Sequence, residues 1–200
     1  MAKPSHREKI LTEGLKVVHE RGFACASVRD IVHAAGVPQG SFTNHFVSKE
    51  AFGLEIIDLY FESTRARVNE TLLDAALPPV QRVLSYVDCH KGLLESGLHK
   101  GCLLGNFTAE STEHSEPIRL RLATIYEWLC DIICNCLDEA VSAGDLPDGF
   151  KSRQVALFIV SSLQGAVLLA KAQRNTQALD GFSAILANSV LRDCGVNRVF

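Results

Sequence analysis

The chain has 200 residues, 47% of them hydrophobic and 22% charged, with a formal net charge of −3. That composition excludes a disordered polyelectrolyte, a collagen and a supercharged tail, and it leaves room for one large domain or two small ones. Charge is unevenly spread. Residues 1–49 carry seven Lys/Arg against four acids, while residues 50–200 are acidic, so the N-terminal part is the one expected to meet an anion, nucleic acid first.

Met1 to Arg7 leads into charged residues rather than an apolar core, so no signal peptide is expected. Ile10, Leu11, Gly14, Leu15 and Val18 share one side at helical spacing, and Gly22 is placed to stop that helix. Ser27 can cap a second, short helix, with Asp30 completing a short capping box and Val28, Ile31 and Val32 as its apolar side. Ala34 to Pro38 reads as a tight turn, and a third short helix carries Ser41, Phe42 and Phe46. Ser48 caps a fourth helix, with Glu50 in its first turn, expected from about Lys49 to Ala76 and ended by Leu77-Pro78-Pro79. The next runs from Pro79 to about Ser96, where Gly97 stops it. Gly101 to Asn106 breaks the pattern, and a short helix follows to Ser111. Pro117 sits in the first turn of a long helix that reaches Ala143-Gly144. After a loop over Asp145 to Phe150, helices of about Ser152–Arg174 and Thr176–Leu191 follow. No alternating strand pattern, repeat or low-complexity tract occurs, so the fold class is all-α. No uninterrupted apolar run has the ~18 residues of a membrane span. Seven cysteines without a small-scaffold spacing are expected to be mostly reduced thiols in a cytoplasmic protein with no membrane partner.

The two short helices joined by Ala35-Gly36-Val37-Pro38 make a helix-turn-helix, which defines a DNA-binding domain over residues 1–48. Its second helix must present a thin polar face to the major groove, where base edges are read. Gln39, Gly40, Ser41, Thr43 and Asn44 are small or polar, and Gln or Asn can pair bidentately with adenine. His45, Lys49 and the Ser27 cap are placed to hold phosphates, with Arg29 in the same set. The expected partner is double-stranded DNA, although helix-turn-helix geometry also occurs in enzymes and in bundles that bind no nucleic acid.

The run Gly36-Val37, Gly40-Ser41-Phe42, His45-Phe46 and Ser48-Lys49-Glu50, preceded by Ile10-Leu11, Gly22-Phe23, Ser27-Val28 and Ile31, closely resembles the DNA-binding domain of the TetR (tetracycline-repressor) family. Two departures stand out: Thr43 replaces the usual tyrosine, and Gly14 replaces the usual small alanine. The resemblance implies a homodimeric repressor on a palindromic operator. Residues 49–200 then form a helical ligand-binding and dimerisation domain whose last two long helices build a four-helix bundle with a second copy. Phe158, Ser162, Gly165, Ala166 and Leu169, with Phe182, Ile185 and Leu186, offer apolar faces with small residues for that contact; they can equally face the chain's own core.

The segment His99 to Asn106 resembles that of a subgroup of the family responsive to N-ethylmaleimide and quinones, in which a cysteine at this place senses electrophiles. Cys102 is expected at a helix start near Lys100 and His99, and helix dipole and positive charge both favour a thiolate. Read blandly, the same Gly-Cys-Leu-Leu-Gly-Asn run is a packing and capping signature, with Cys102 a small hydrophobe. Tyr86, His90, Asn106, Phe107 and Tyr126 belong to the core or line an inducer pocket. Cys89-His90 and His99-x-x-Cys102 only superficially resemble metal ligands, so neither metal nor cofactor is expected. Cys130, Cys134 and Cys136 read as core fillers. No catalytic constellation is present. The favoured function is a dimeric repressor released by a small-molecule inducer or by electrophile modification of Cys102, ahead of a helical small-molecule-binding or electrophile-detoxifying enzyme and of a structural DNA-binding protein without a ligand.

Overall fold

Local capping chemistry fixes where the N-terminal helices begin and end. In the computed structural model, which describes residues 5–95 and 100–192, α1 runs over His6–Arg21. Ser5 caps it: its hydroxyl accepts the Glu8 N–H, and the Glu8 carboxylate accepts the Ser5 N–H. Those two hydrogen bonds hold Glu8 below the usual carboxylate range. Gly22 ends the helix at φ +84°, a conformation that side chains resist, and donates its N–H to Val18 O. α2, Val28–Ala34, opens with the reciprocal Ser27–Asp30 capping box expected from the sequence. Gly36, at φ +62°, makes the turn to α3, Gly40–His45. Ser48 Oγ accepts the Ala51 N–H and starts α4, Lys49–Glu70.

Beneath α3, the rings of Phe42, Phe46 and Phe52 pack at centroid distances of 5.1–5.3 Å, all of them buried. Gly14 of α1 lies against this cluster. A Cβ there would stand 2.6 Å from Phe52 Cζ and 3.1 Å from Ile31 Cγ2, so the ring occupies the space an alanine methyl needs.

α4 stops short of the expected Ala76. Leu73 N–H reaches back to Val68 O, Thr71 Oγ1 donates to Arg67 O, and Asp74 Oδ1 accepts the Ala76 N–H. This local turn satisfies the backbone without further helix, a competition that periodicity does not register. α5 covers Pro79–Glu95; Gly97, its expected stop, lies outside the described residues. α6, Leu103–Ser111, starts inside the segment Gly101 to Asn106 where the helical pattern breaks, with Cys102 at its start as the thiol reading expects. α7 is Glu116–Ala143, α8 Ser152–Gln173 and α9 Gln177–Ile185, followed by one π-helical turn, Leu186–Val190. Among the described residues there is no strand.

The chain divides into two compact units, Met1–Thr64 with Cys102–Ile125, and Arg65–Gly101 with Tyr126–Phe200. In the first, α1–α3 pack with α4, α6 and the start of α7, and Arg121 binds Asp58 at 2.6 Å. In the second, Tyr86, Ile133, Leu137, Ile159 and Leu186 are among the fully buried residues. There Arg82 pairs with Glu139 at 2.6 Å, and Arg153 bridges Asp131 and Glu127. α8 refines the membrane expectation. No uninterrupted apolar run spans a bilayer, yet an 18-residue window of α8 is long and apolar enough to do so. Its apolar residues divide between two faces: Ala156, Ile159, Leu163 and Val167 are buried, while Leu157, Phe158, Leu168 and Leu169 are exposed.

Candidate nucleic-acid interface and regulatory site

Six residues are too few for a helix to persist alone. The phenylalanine cluster therefore holds α3 by one side and leaves the other in water. Gln39, Gly40, Thr43, Asn44 and His45 are exposed on that free side. Thr43 Oγ1 donates to Gly40 O at 3.1 Å. Apart from its chain neighbours and its own helix backbone, nothing lies within 4 Å of where a Cβ on Gly40 would be, so the helix start is open to an approaching partner. Val47, 98% exposed beside this face, carries no signal in the sequence pattern.

Two residues assigned to the DNA face sit elsewhere. Ser41 is buried, its Oγ 3.3 Å from His6 Nδ1, so it secures α3 to α1 instead of reaching outward. Lys49 is half-buried: its Nζ donates to Ala24 O at 3.2 Å and lies 4.8 Å over the Phe23 ring, and burial lowers its pKa. Ser27 spends its hydroxyl on the α2 cap, whereas Arg29 is exposed one residue into α2. Arg7 pairs with Glu55, which lies outside residues 1–49 and so offsets part of their basic excess, while Lys16 pairs with Glu13 and Arg21 with Asp30 inside that segment.

The regulatory residues are distributed over both units. In the first, Cys102 is the half-exposed N-cap of α6, its carbonyl accepting the Asn106 N–H at 3.0 Å. Asn106 is half-buried on the same helix. Phe107 is buried and packs its ring 4.8 Å from that of Phe23, which places it in the packing beneath the helix-turn-helix. In the second unit, Tyr86 is 1% exposed, and its carbonyl takes both the His90 Nδ1 proton at 2.9 Å and the Cys89 thiol at 3.0 Å. Burial pushes the His90 imidazole down to about 4, so it is neutral, with Nδ1 as its donor. Lys100 and Tyr126 are half-buried there, and the Lys171 stem packs on Gly101. His99 lies outside the described residues.

Thiol environments differ. Burial raises the pKa of Cys89, Cys130 and Cys134 and pushes that of Cys136 up to about 11. Cys25, which no motif or spacing singles out, is exposed. Among the described residues no disulfide forms, and no three His, Cys, Asp or Glu side chains group to hold a metal.

On α8 and α9, Leu157, Phe158, Leu168, Leu169 and Ile185 are 42–66% exposed, and the Cβ position of Gly165 is open. Ser162 is half-buried beside them. Ala166, Phe182 and Leu186, assigned to the same face, are instead buried within the protomer; Ala166 lies three and four residues from buried Leu163 and Ala170, at the edge of the side of α8 that packs inward. Leu157 and Leu168 take their place.

Residues 10–56 match the family described as bacterial regulatory proteins, tetR family, and residues 79–186 match the tetracyclin repressor-like C-terminal domain. The HTH-type transcriptional repressor DhaR of Mycobacterium sp. (strain GP1) is 35% identical over 191 residues, covering 96% of this chain and 95% of its own. The repressor NemR of Escherichia coli K12 is 26% identical, over 92% of this chain and 93% of its own. Among solved structures, a TetR regulatory protein from Rhodobacter sphaeroides superposes with a TM-score of 0.82 at 27% identity, covering 89% of this chain and 95% of its own. Reduced E. coli NemR does so at 0.81 and 25% identity, covering 92% and 95%. With both parts of the chain matched and the helix-turn-helix in place, the chain belongs to the TetR family and is a DNA-binding transcriptional regulator, not an enzyme.

Proposed function

We propose that this regulator represses transcription in the cytoplasm as a homodimer on a palindromic operator, and that a small-molecule inducer or electrophile modification of Cys102 releases it. The observation that carries the reading is the exposed polar side of α3, raised on a buried phenylalanine base. Gln39, Thr43 and Asn44 meet base edges, and Arg29 and His45 meet phosphates. Residues 1–48 read DNA, and residues 49–200 regulate and dimerise. The exposed apolar stripe of α8 and α9 argues for a second copy, because two-fold symmetry matches two half-sites one helical turn apart. Inducer or thiol modification favours a conformation in which the two reading heads no longer match adjacent major grooves.

Support for Cys102 comes from its place at the start of α6, partly open to solvent, while burial holds Cys89, Cys130, Cys134 and Cys136 in the thiol form. NemR, similar over nearly its full length, is a repressor whose structure was solved in a reduced form. The test is alkylation by a maleimide or quinone, read by mass spectrometry on each thiol and by release from DNA. Cys102 should react first, with exposed Cys25 its nearest competitor, and Cys102→Ser should stay bound. Release of Cys102→Ser at the wild-type dose removes the electrophile trigger and leaves a reversible inducer.

A further inference from the structure

The loop between α1 and α2 is gripped from two sides within the first unit. From α4, Lys49 Nζ donates to Ala24 O and stands over the Phe23 ring. From α6, the Phe107 ring packs against the Phe23 ring at 4.8 Å, and Glu110 Oε2 accepts the Ala24 N–H at 3.1 Å. Phe107 and Glu110 are three residues apart and so share one side of α6. Glu110 reaches the loop because residue 22 is glycine: a Cβ there would stand 2.6 Å from Oε1 and 2.9 Å from Oε2. The loop in turn presents Ser27, the residue that caps α2, and Ala26 N–H closes it on Gly22 O at 3.0 Å.

Ala24 belongs to no helix, so its N–H has no acceptor supplied by regular structure. A carboxylate 86 residues along the chain supplies one instead. We infer that Glu110 is a positioning residue for DNA reading: by holding the Ala24 N–H it ties the pose of the helix-turn-helix to α6, the helix that Cys102 caps. The inference rests on the DNA-binding reading above but not on any particular inducer. Lys49 gives the carboxylate a second possible role, since their charges attract. Reach and charge therefore have to be separated.

Glu110→Gln keeps a carbonyl oxygen at the same reach and removes the charge. Glu110→Asp keeps the charge and loses one methylene of reach. Both are made in the full-length chain. Two quantities are measured: hydrogen exchange of the Ala24 amide, and affinity for a duplex selected from a random-sequence pool by the wild-type protein. Loss of one hydrogen bond to a charged group predicts that Glu110→Asp exchanges about tenfold faster at Ala24 and binds the duplex about tenfold more weakly, with Glu110→Gln within about threefold of wild type in both. Exchange in α8 should not change. The reverse ranking, in which Asp is tolerated and Gln is not, assigns Glu110 to charge balance with Lys49 and overturns the inference. Equal behaviour of the two variants, or a matching rise of exchange in α8, overturns it as well. A pool that yields no duplex refutes the DNA-binding reading, while the exchange measurement still decides the clamp.

Discussion

Gly14→Ala sets helix propensity against packing, and the structure says which wins. In an open helix interior, glycine to alanine stabilises by ~0.8–1 kcal/mol. Here the added methyl would stand 2.6 Å from Phe52 Cζ and 3.1 Å from both Phe52 Cε2 and Ile31 Cγ2. Phe52 and Ile31 are wholly buried, and Phe52 is flanked by the rings of Phe42 and Phe46, so the ring has nowhere to swing. Overpacking of that kind costs ~1–3 kcal/mol. The net expectation is a loss of up to ~2 kcal/mol, read as a lower urea midpoint at fixed chain concentration. In a Phe52→Leu background both ring atoms are gone and only the Ile31 contact at 3.1 Å remains, so Gly14→Ala should lose most of its cost or turn stabilising by at most about the propensity amount. If Gly14→Ala stabilises the otherwise wild-type chain, or has the same effect in both backgrounds, the steric argument is wrong. The usual alanine of the family at this position is thus expected to require a smaller or displaced partner at residue 52.

Gly165→Trp should leave a folded protomer that sediments as a monomer at low micromolar concentration, because its Cβ opens onto the exposed stripe. Ala166→Trp, one residue on but buried, should lower the unfolding midpoint instead; a fully dimeric Gly165→Trp would place the interface elsewhere. His90 gives a pH prediction. Its folded pKa is pushed down to about 4 from an ordinary 6.5, so the unfolded chain takes the proton first. Stability from this group is full above pH 6.5 and drains as pH falls towards 4. His90→Gln should flatten that window, and an unchanged slope in thermal melts would mean another group carries it.

Sequence reasoning reached what is local and stopped where partners are distant. The Ser27–Asp30 cap, the Gly22 stop and the Gly36 turn each act within a few residues, and each stands where the residue types put it. Ser41 and Lys49 look like groove residues by type and spacing, but His6 and Ala24, far along the chain, claim their polar atoms. Ala166 and Leu186, read as part of an outward apolar face, are buried in the protomer: α8 is apolar on more than one face, and periodicity cannot say which of them meets the chain itself. Phe107 was legible as a core or pocket residue but not as the partner of Phe23, and Glu110 carried no signal, since both partners lie over 80 residues away. α4 lost its last turn to the hydrogen bonds of Thr71, Leu73 and Asp74.

The six-residue α3 has a consequence for how such a protein changes over generations. Its buried side carries Phe42 and Ser41, and the residues that face outward, Gln39, Thr43 and Asn44, support almost nothing in the chain itself. On the proposed reading, substitutions there would leave the fold nearly untouched while altering which bases are met, so lineages could wander from one binding sequence to another without passing through unfolded ancestors. The exchange of the family's tyrosine for Thr43 is a step such a lineage can take at little structural risk.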